Sequence, residues 1–89
     1  MPTVLTMGSI VLFFTSYDCY EPMHIHIIDG NKECKYWLRA SYDEIILADN
    51  KGFSRSELLK LKRVVVQNYQ NIKKLWDEHC KDTARKKYK

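Results

Sequence analysis

The chain has 89 residues, enough for one small domain, and its 45% hydrophobic and 12% aromatic content excludes a disordered chain. The net charge of +4 is unevenly spread: residues 1–50 hold 3 basic and 7 acidic side chains, residues 51–80 hold 7 and 3, and residues 81–89 hold 5 and 1. A histidine-bearing first half that draws phosphate by its overall field is therefore not implied.

Three cysteines, Cys19, Cys34 and Cys80, are widely spaced and odd in number. They match no zinc or disulfide framework, so the expectation is reduced thiols in a cytoplasmic protein. The apolar run "IVLFF" has no basic segment before it and is too short to span a bilayer, so no membrane association is expected.

"VLTM", the pair Gly8-Ser9 and "IVLFFTSY" read as strand, turn and strand. The second strand is apolar on both faces, which suits a central position in the sheet. "YDCYEP" is an irregular connection, and Pro22 belongs ahead of a strand because it lacks a backbone donor. "MHIHII" then alternates with period two: Met23, Ile25 and Ile27 share one face, His24 and His26 the other. "DGNK" signals a hairpin, and "ECKYWLR" returns as the next strand.

Two hairpin registers are compatible with this turn. A two-residue turn sets His26 opposite Glu33 and His24 opposite Lys35. A four-residue loop over 29–32 sets His26 opposite Lys35 and His24 opposite Trp37. Either way the histidines share a polar, open face with Glu33, Lys35, Trp37 and Arg39, and the isoleucines turn to the core.

"DEIILADNKGF" reads as a short apolar piece and a loop. Ser54 with Glu57 three residues on is a capping box, and Phe53 with Leu58 a hydrophobic staple. One long helix is expected over about 55–80. Its core stripe is Leu58, Leu61, Val65, Ile72, Leu75 and Trp76, bordered by Val64 and Tyr69. Asn68 lies beside this stripe, where its amide bonds locally. His79 sits near the C-terminus, where a protonated imidazole is favoured. Leu59 and Val66 fall on the opposite shoulder beside Arg55, Lys62 and Lys73, a second ridge suited either to a partner or to cover by a strand or loop of the same chain. The expected fold is α+β: a small antiparallel sheet, strands first, packed on one long C-terminal helix. Residues 1–80 form the single domain, and 81–89 a basic, flexible tail.

"MPTV", "EPMHIH", "KYWL", "ADNKGFSRSEL" and a late helical tryptophan together resemble the bacterial family called domain of unknown function 4160, whose members usually show "EPPHVHV". The likeness extends to about Cys80, and the matching residues are Pro22, His24, His26, Trp37, Gly52 and Trp76. Met23 stands where the family has a second proline, and the basic tail is outside the pattern. The resemblance implies a small protein encoded beside a second small protein, an arrangement like a toxin–antitoxin pair.

Three functional readings follow. In the first, the histidines are structural or interfacial: Glu33 accepts a hydrogen bond and orients one ring, and the histidine face, with Glu33, Trp37 and Arg39, and the ridge of Leu59 and Val66 meet a partner protein, this chain being the effector half of the module. In the second, His24 and His26 act as acid and base on RNA, Lys35 or Arg39 stabilises the phosphorane, and Trp37 stacks a base. No cofactor is needed for either. In the third, His24 and His26 hold a transition metal, with Asp18, Cys19, Glu21 or Glu33 as the third ligand, though no spacing selects one.

Overall fold

The structure, a computed structural model, describes residues 3–15, 18–38 and 45–81. Arg39 and the tail residues 82–89 lie outside the described residues. Five strands come first: β1 (Thr3–Met7), β2 (Ile10–Phe13), β3 (His24–Asp29), β4 (Lys32–Leu38) and β5 (Ile45–Lys51). They form one antiparallel sheet in sequential order, so each connection joins neighbouring strands. Two helices follow, α1 (Arg55–Gln67) and α2 (Tyr69–His79). The α+β class and the strands-first order are as the sequence predicts.

The strand alternation sets which residues are buried. Ile25 pairs with Tyr36 and Ile27 with Cys34. These four are at most 3% exposed and join Leu12, Leu61, Val65 and Ile72 in one core cluster. Each fully buried aliphatic side chain contributes about 1.5–3 kcal/mol. The Tyr36 hydroxyl reaches from this face to α1, donating to the Leu58 carbonyl at 2.8 Å. Burial pushes the Tyr36 hydroxyl and the Cys34 thiol each up to about 12, so neither ionises near neutral pH. The hairpin adopts the second of the two registers, His26 opposite Lys35 and His24 opposite Trp37. Asp29 and Lys32 still pair, which leaves only Gly30 and Asn31 to make the turn.

Three expectations need correction. The segment read as a loop after residue 45 is the edge strand β5. Only Ile45 of its seven residues is buried, so it shows little hydrophobic pattern and is held by its backbone ladder to β4. The single long helix is two helices. The interruption is Asn68, whose side-chain amide donates to the Val64 carbonyl at 2.8 Å and so competes for the acceptor of a regular helical bond. Three β-branched residues, Val64 to Val66, precede it and weaken the last turn of α1. The break costs α2 little, because Ile72 donates back to the Asn68 carbonyl at 2.9 Å and the core stripe continues through Tyr69, Ile72 and Trp76.

The third correction concerns the cysteines. Cys19 and Cys80, 61 positions apart in sequence, form a disulfide, with their Cα atoms 5.4 Å apart. Only Cys34 is a free thiol among the described residues, and it is buried. The pairing was not readable from spacing, since tertiary folding brings the short 3₁₀ turn Asp18–Tyr20 to the end of α2.

The junction from β5 to α1 is as the sequence predicts. The Asn50 side chain bonds both ways to the Phe53 backbone, accepting at 3.2 Å and donating at 3.1 Å. Gly52 has φ 93°, and a Cβ there would meet Lys32 Cγ at 3.2 Å, so glycine suits both the backbone and the space. The Ser54–Glu57 capping box is present in both directions. Lys32 of β4 bonds the Glu57 carboxylate at 2.8 Å and ties the helix start to the sheet. That bond, together with the Ser54 backbone donor, lowers the Glu57 pKa to about 2 from an ordinary value of 4.5. A carboxyl depressed in the folded state adds stability that is complete above its unfolded pKa. Stability should therefore drop as pH falls from about 4.5 towards 2, and Glu57→Gln should flatten the profile in that window when urea unfolding is followed across pH.

Candidate functional site

β3 carries the histidines because Pro22 ends the irregular approach and the alternation then puts His24 and His26 on the face away from Ile25 and Ile27. Across the sheet this face gathers Phe13, paired with His26; Val11, paired with Ile28; Lys35 and Trp37 from β4; and Ile46 of β5, paired with Trp37. Glu33 lies on the same face, exposed, opposite Ile28. The shared face of the histidines, Glu33, Lys35 and Trp37 is thus as the sequence implies.

Its exposure is not. His24 is 0% exposed, which corrects the expectation of an open polar face carrying both histidines. The reason is α2: Trp76 comes to 5.3 Å of the His24 ring, centroid to centroid, at the end of the sheet where β3 begins. Trp37 at 5.4 Å and His26 at 4.9 Å complete the enclosure, all three in edge-to-face contact. Such contacts contribute about 0.5–1.5 kcal/mol each beyond burial. His24 Nδ1 lies 2.8 Å from the Pro22 carbonyl oxygen, which can only accept. Nδ1 therefore carries the proton, and Nε2 holds the lone pair in the neutral ring.

His26 is half-buried and lies nearly flat on Phe13, with 5.3 Å between centroids and 19° between planes. Lys35 is engaged twice. Its Nζ pairs with the Glu21 carboxylate at 2.7 Å and sits 4.3 Å from the centroid of the Trp37 ring. The cation–π contact was not foreseen, although the i, i+2 placement of Lys35 and Trp37 on one strand face was the signal for it.

These facts weigh the chemical readings. An acid–base pair on RNA needs both imidazoles within reach of substrate, and His24 is enclosed. A phosphorane-stabilising lysine needs uncompensated charge, and Lys35 has Glu21 beside it. For a metal, Cys19 is in the disulfide, Glu21 is on Lys35, and Glu33 is one pair removed from His26. The Asp18 side chain lies outside what is described. Among the described residues no three His, Cys, Asp or Glu side chains come together as a ligand set. The other predicted residues, Leu59 and Val66, lie on α1 and are exposed, apart from the histidine cluster.

The cluster is an aromatic plug at the end of the sheet, with a mixed apolar and charged surface beside it. His24→Ala should remove a fully enclosed ring and cost about 2–4 kcal/mol of unfolding free energy. His26→Ala, at a half-exposed position, should cost less than about 1.5 kcal/mol in the same urea titration. Equal costs at the two positions would contradict the plug.

No curated protein and no solved structure matches the chain. A family model does: the one described as domain of unknown function (DUF4160) matches residues 9–77, from the turn before β2 almost to the end of α2. The matched stretch contains the histidine strand, Trp37, the Gly52 junction and Trp76. The chain belongs to the DUF4160 family.

Proposed function

We propose that this chain works by protein–protein association, as the effector-like component of a two-protein, toxin–antitoxin-like module in a bacterial cytoplasm. The supporting observation is the surface beside the plug. Val11, His26, Ile28, Lys35 and Trp37 are half-buried there, and Ile46 is 48% exposed. A tryptophan and aliphatic side chains bordered by a lysine, two glutamates and a histidine have the composition of an interface: apolar centre, polar rim. The module itself is supported by the resemblance of the family's gene arrangement to toxin–antitoxin pairs. No described helix is long and apolar enough to cross a membrane. The cytoplasmic part of the reading must accommodate the Cys19–Cys80 bond, because disulfides are rare in reducing compartments.

The ribonuclease-like alternative through His24, His26 and Lys35 has less support, given the enclosure of His24 and the Glu21–Lys35 pair. Metal binding through the two histidines has less again, for want of a third ligand in the described residues.

The test is co-expression with the product of the neighbouring gene. The two proteins should co-purify, and the chain alone should slow growth in a way the partner relieves. Ile46→Asp and Trp37→Ala should each weaken the complex at least tenfold while circular dichroism stays that of the wild type. A wild-type chain that elutes as a monomer in the presence of its neighbour would overturn the association reading.

A further inference from the structure

The outer face of α1 has no role in the core. Leu59 is 56% exposed and Val66 36%, while the helix turns Leu61 and Val65 inward. With Lys62, Arg63 and Gln67 they line a shallow groove of about 340 Å³. The spacing is helical: Leu59 and Val66 are seven apart, two turns along one line, and Lys62 and Arg63 stand at the intervening i+3 and i+4 positions on either side. This is how one strand of a helical pair presents itself, apolar along the seam and charged at the flanks.

The charge is one-sided. Four cations lie in α1, Arg55, Lys60, Lys62 and Arg63, against a single acid, Glu57. Glu57 is committed to Lys32 and the Ser54 cap. Among the described residues neither Lys62 nor Arg63 is in an ion pair. We propose that this face docks an acidic amphipathic helix of a partner protein, its apolar residues seated along Leu59 and Val66 and its carboxylates on Lys62 and Arg63. The inference rests on the association reading and adds the chemistry of the partner at a second surface.

Charge selects this occupant over the others. The chain's own tail, residues 81–89, has 5 basic side chains and 1 acidic, so it is repelled by the groove. A nucleic acid would satisfy Lys62 and Arg63 but leave Leu59 and Val66 without an apolar partner. A second copy offering its acidic half would bind head to tail, a contact that builds rings or open chains.

The experiment uses the full chain and a set of helical 20-residue peptides with leucines at i, i+3 or i+4, and i+7. One series is flanked by glutamates, one by lysines, and polyglutamate is the control. Amide chemical shifts and fluorescence anisotropy report where and how tightly each binds. The glutamate series should shift residues 55–67 and should bind at least tenfold more weakly to Leu59→Ser/Val66→Ser. Lys62→Glu/Arg63→Glu should reverse the preference towards the lysine series. Both double variants change exposed side chains, and circular dichroism verifies their fold. The inference is overturned by no peptide binding above polyglutamate; by equal binding of the two series; by displacement by an RNA oligomer that depends on Lys62 and Arg63 but not on Leu59 and Val66; or by wild-type self-association in light scattering that the same variants abolish. A neighbour complex indifferent to both double variants sinks this inference and leaves the association reading standing, whereas no wild-type complex at all sinks that reading.

Discussion

A five-stranded sheet backed by a single helical layer can hide one of its faces. That constraint organises the molecule. The hidden face takes Ile25, Ile27, Cys34 and Tyr36, and α1 and α2 supply Leu61, Val65 and Ile72 against them. Strand register is fixed as a result, because a slip of one residue would carry the isoleucines to the other side. The second face must then be stable without a helix over it. It manages this with the Phe13 ring stacked on His26 and the Lys35 ammonium over the Trp37 ring, rather than with polar side chains alone.

His24 marks where the two faces meet. It belongs by parity to the uncovered side, yet it heads β3 at the end of the sheet, and Trp76 from α2 closes over it. A histidine suits this place because it can be aromatic on its faces and polar at one edge. Its ring packs among Trp37, Trp76 and His26, while Nδ1 meets the Pro22 carbonyl that would otherwise point into the same apolar space. A phenylalanine could make the ring contacts but not the hydrogen bond.

Much of the architecture was legible because it depends on local rules. Alternation from Met23 to Ile27 gives the face of every residue in the hairpin, and Ser54 with Glu57 announces the helix start. The features that escaped depend on distant partners. β5 shows no alternation because an edge strand with one buried residue is held by backbone bonds, which leave no mark on side-chain pattern. Parity says which face His24 is on but not what lies over that face, and Trp76 is fifty-two positions further along the chain. The break at Asn68 lay within a stripe that continues on both sides, so periodicity passed over it. Of the candidate site, membership was readable; accessibility was not, and accessibility is what separates a catalytic histidine from a structural one.

The Cys19–Cys80 bond also has a topological meaning. It turns the chain from the 3₁₀ turn to the end of α2 into a covalent ring that encloses β3, β4, β5 and both helices. β1 and β2 are outside the ring, as an appendage attached covalently only through the segment before Cys19 and otherwise by its pairing with β3 and its core contacts. The ring contains the whole histidine strand, its β4 partner, Trp76 and the ridge on α1, so these surfaces stay tethered to one another even when the chain loosens. The appendage has no such tether: it can detach from β3 without passing any part of the chain through the loop. If the sheet frays, covalent geometry favours its first two strands as the part that leaves, and the newly bared edge would be β3 itself.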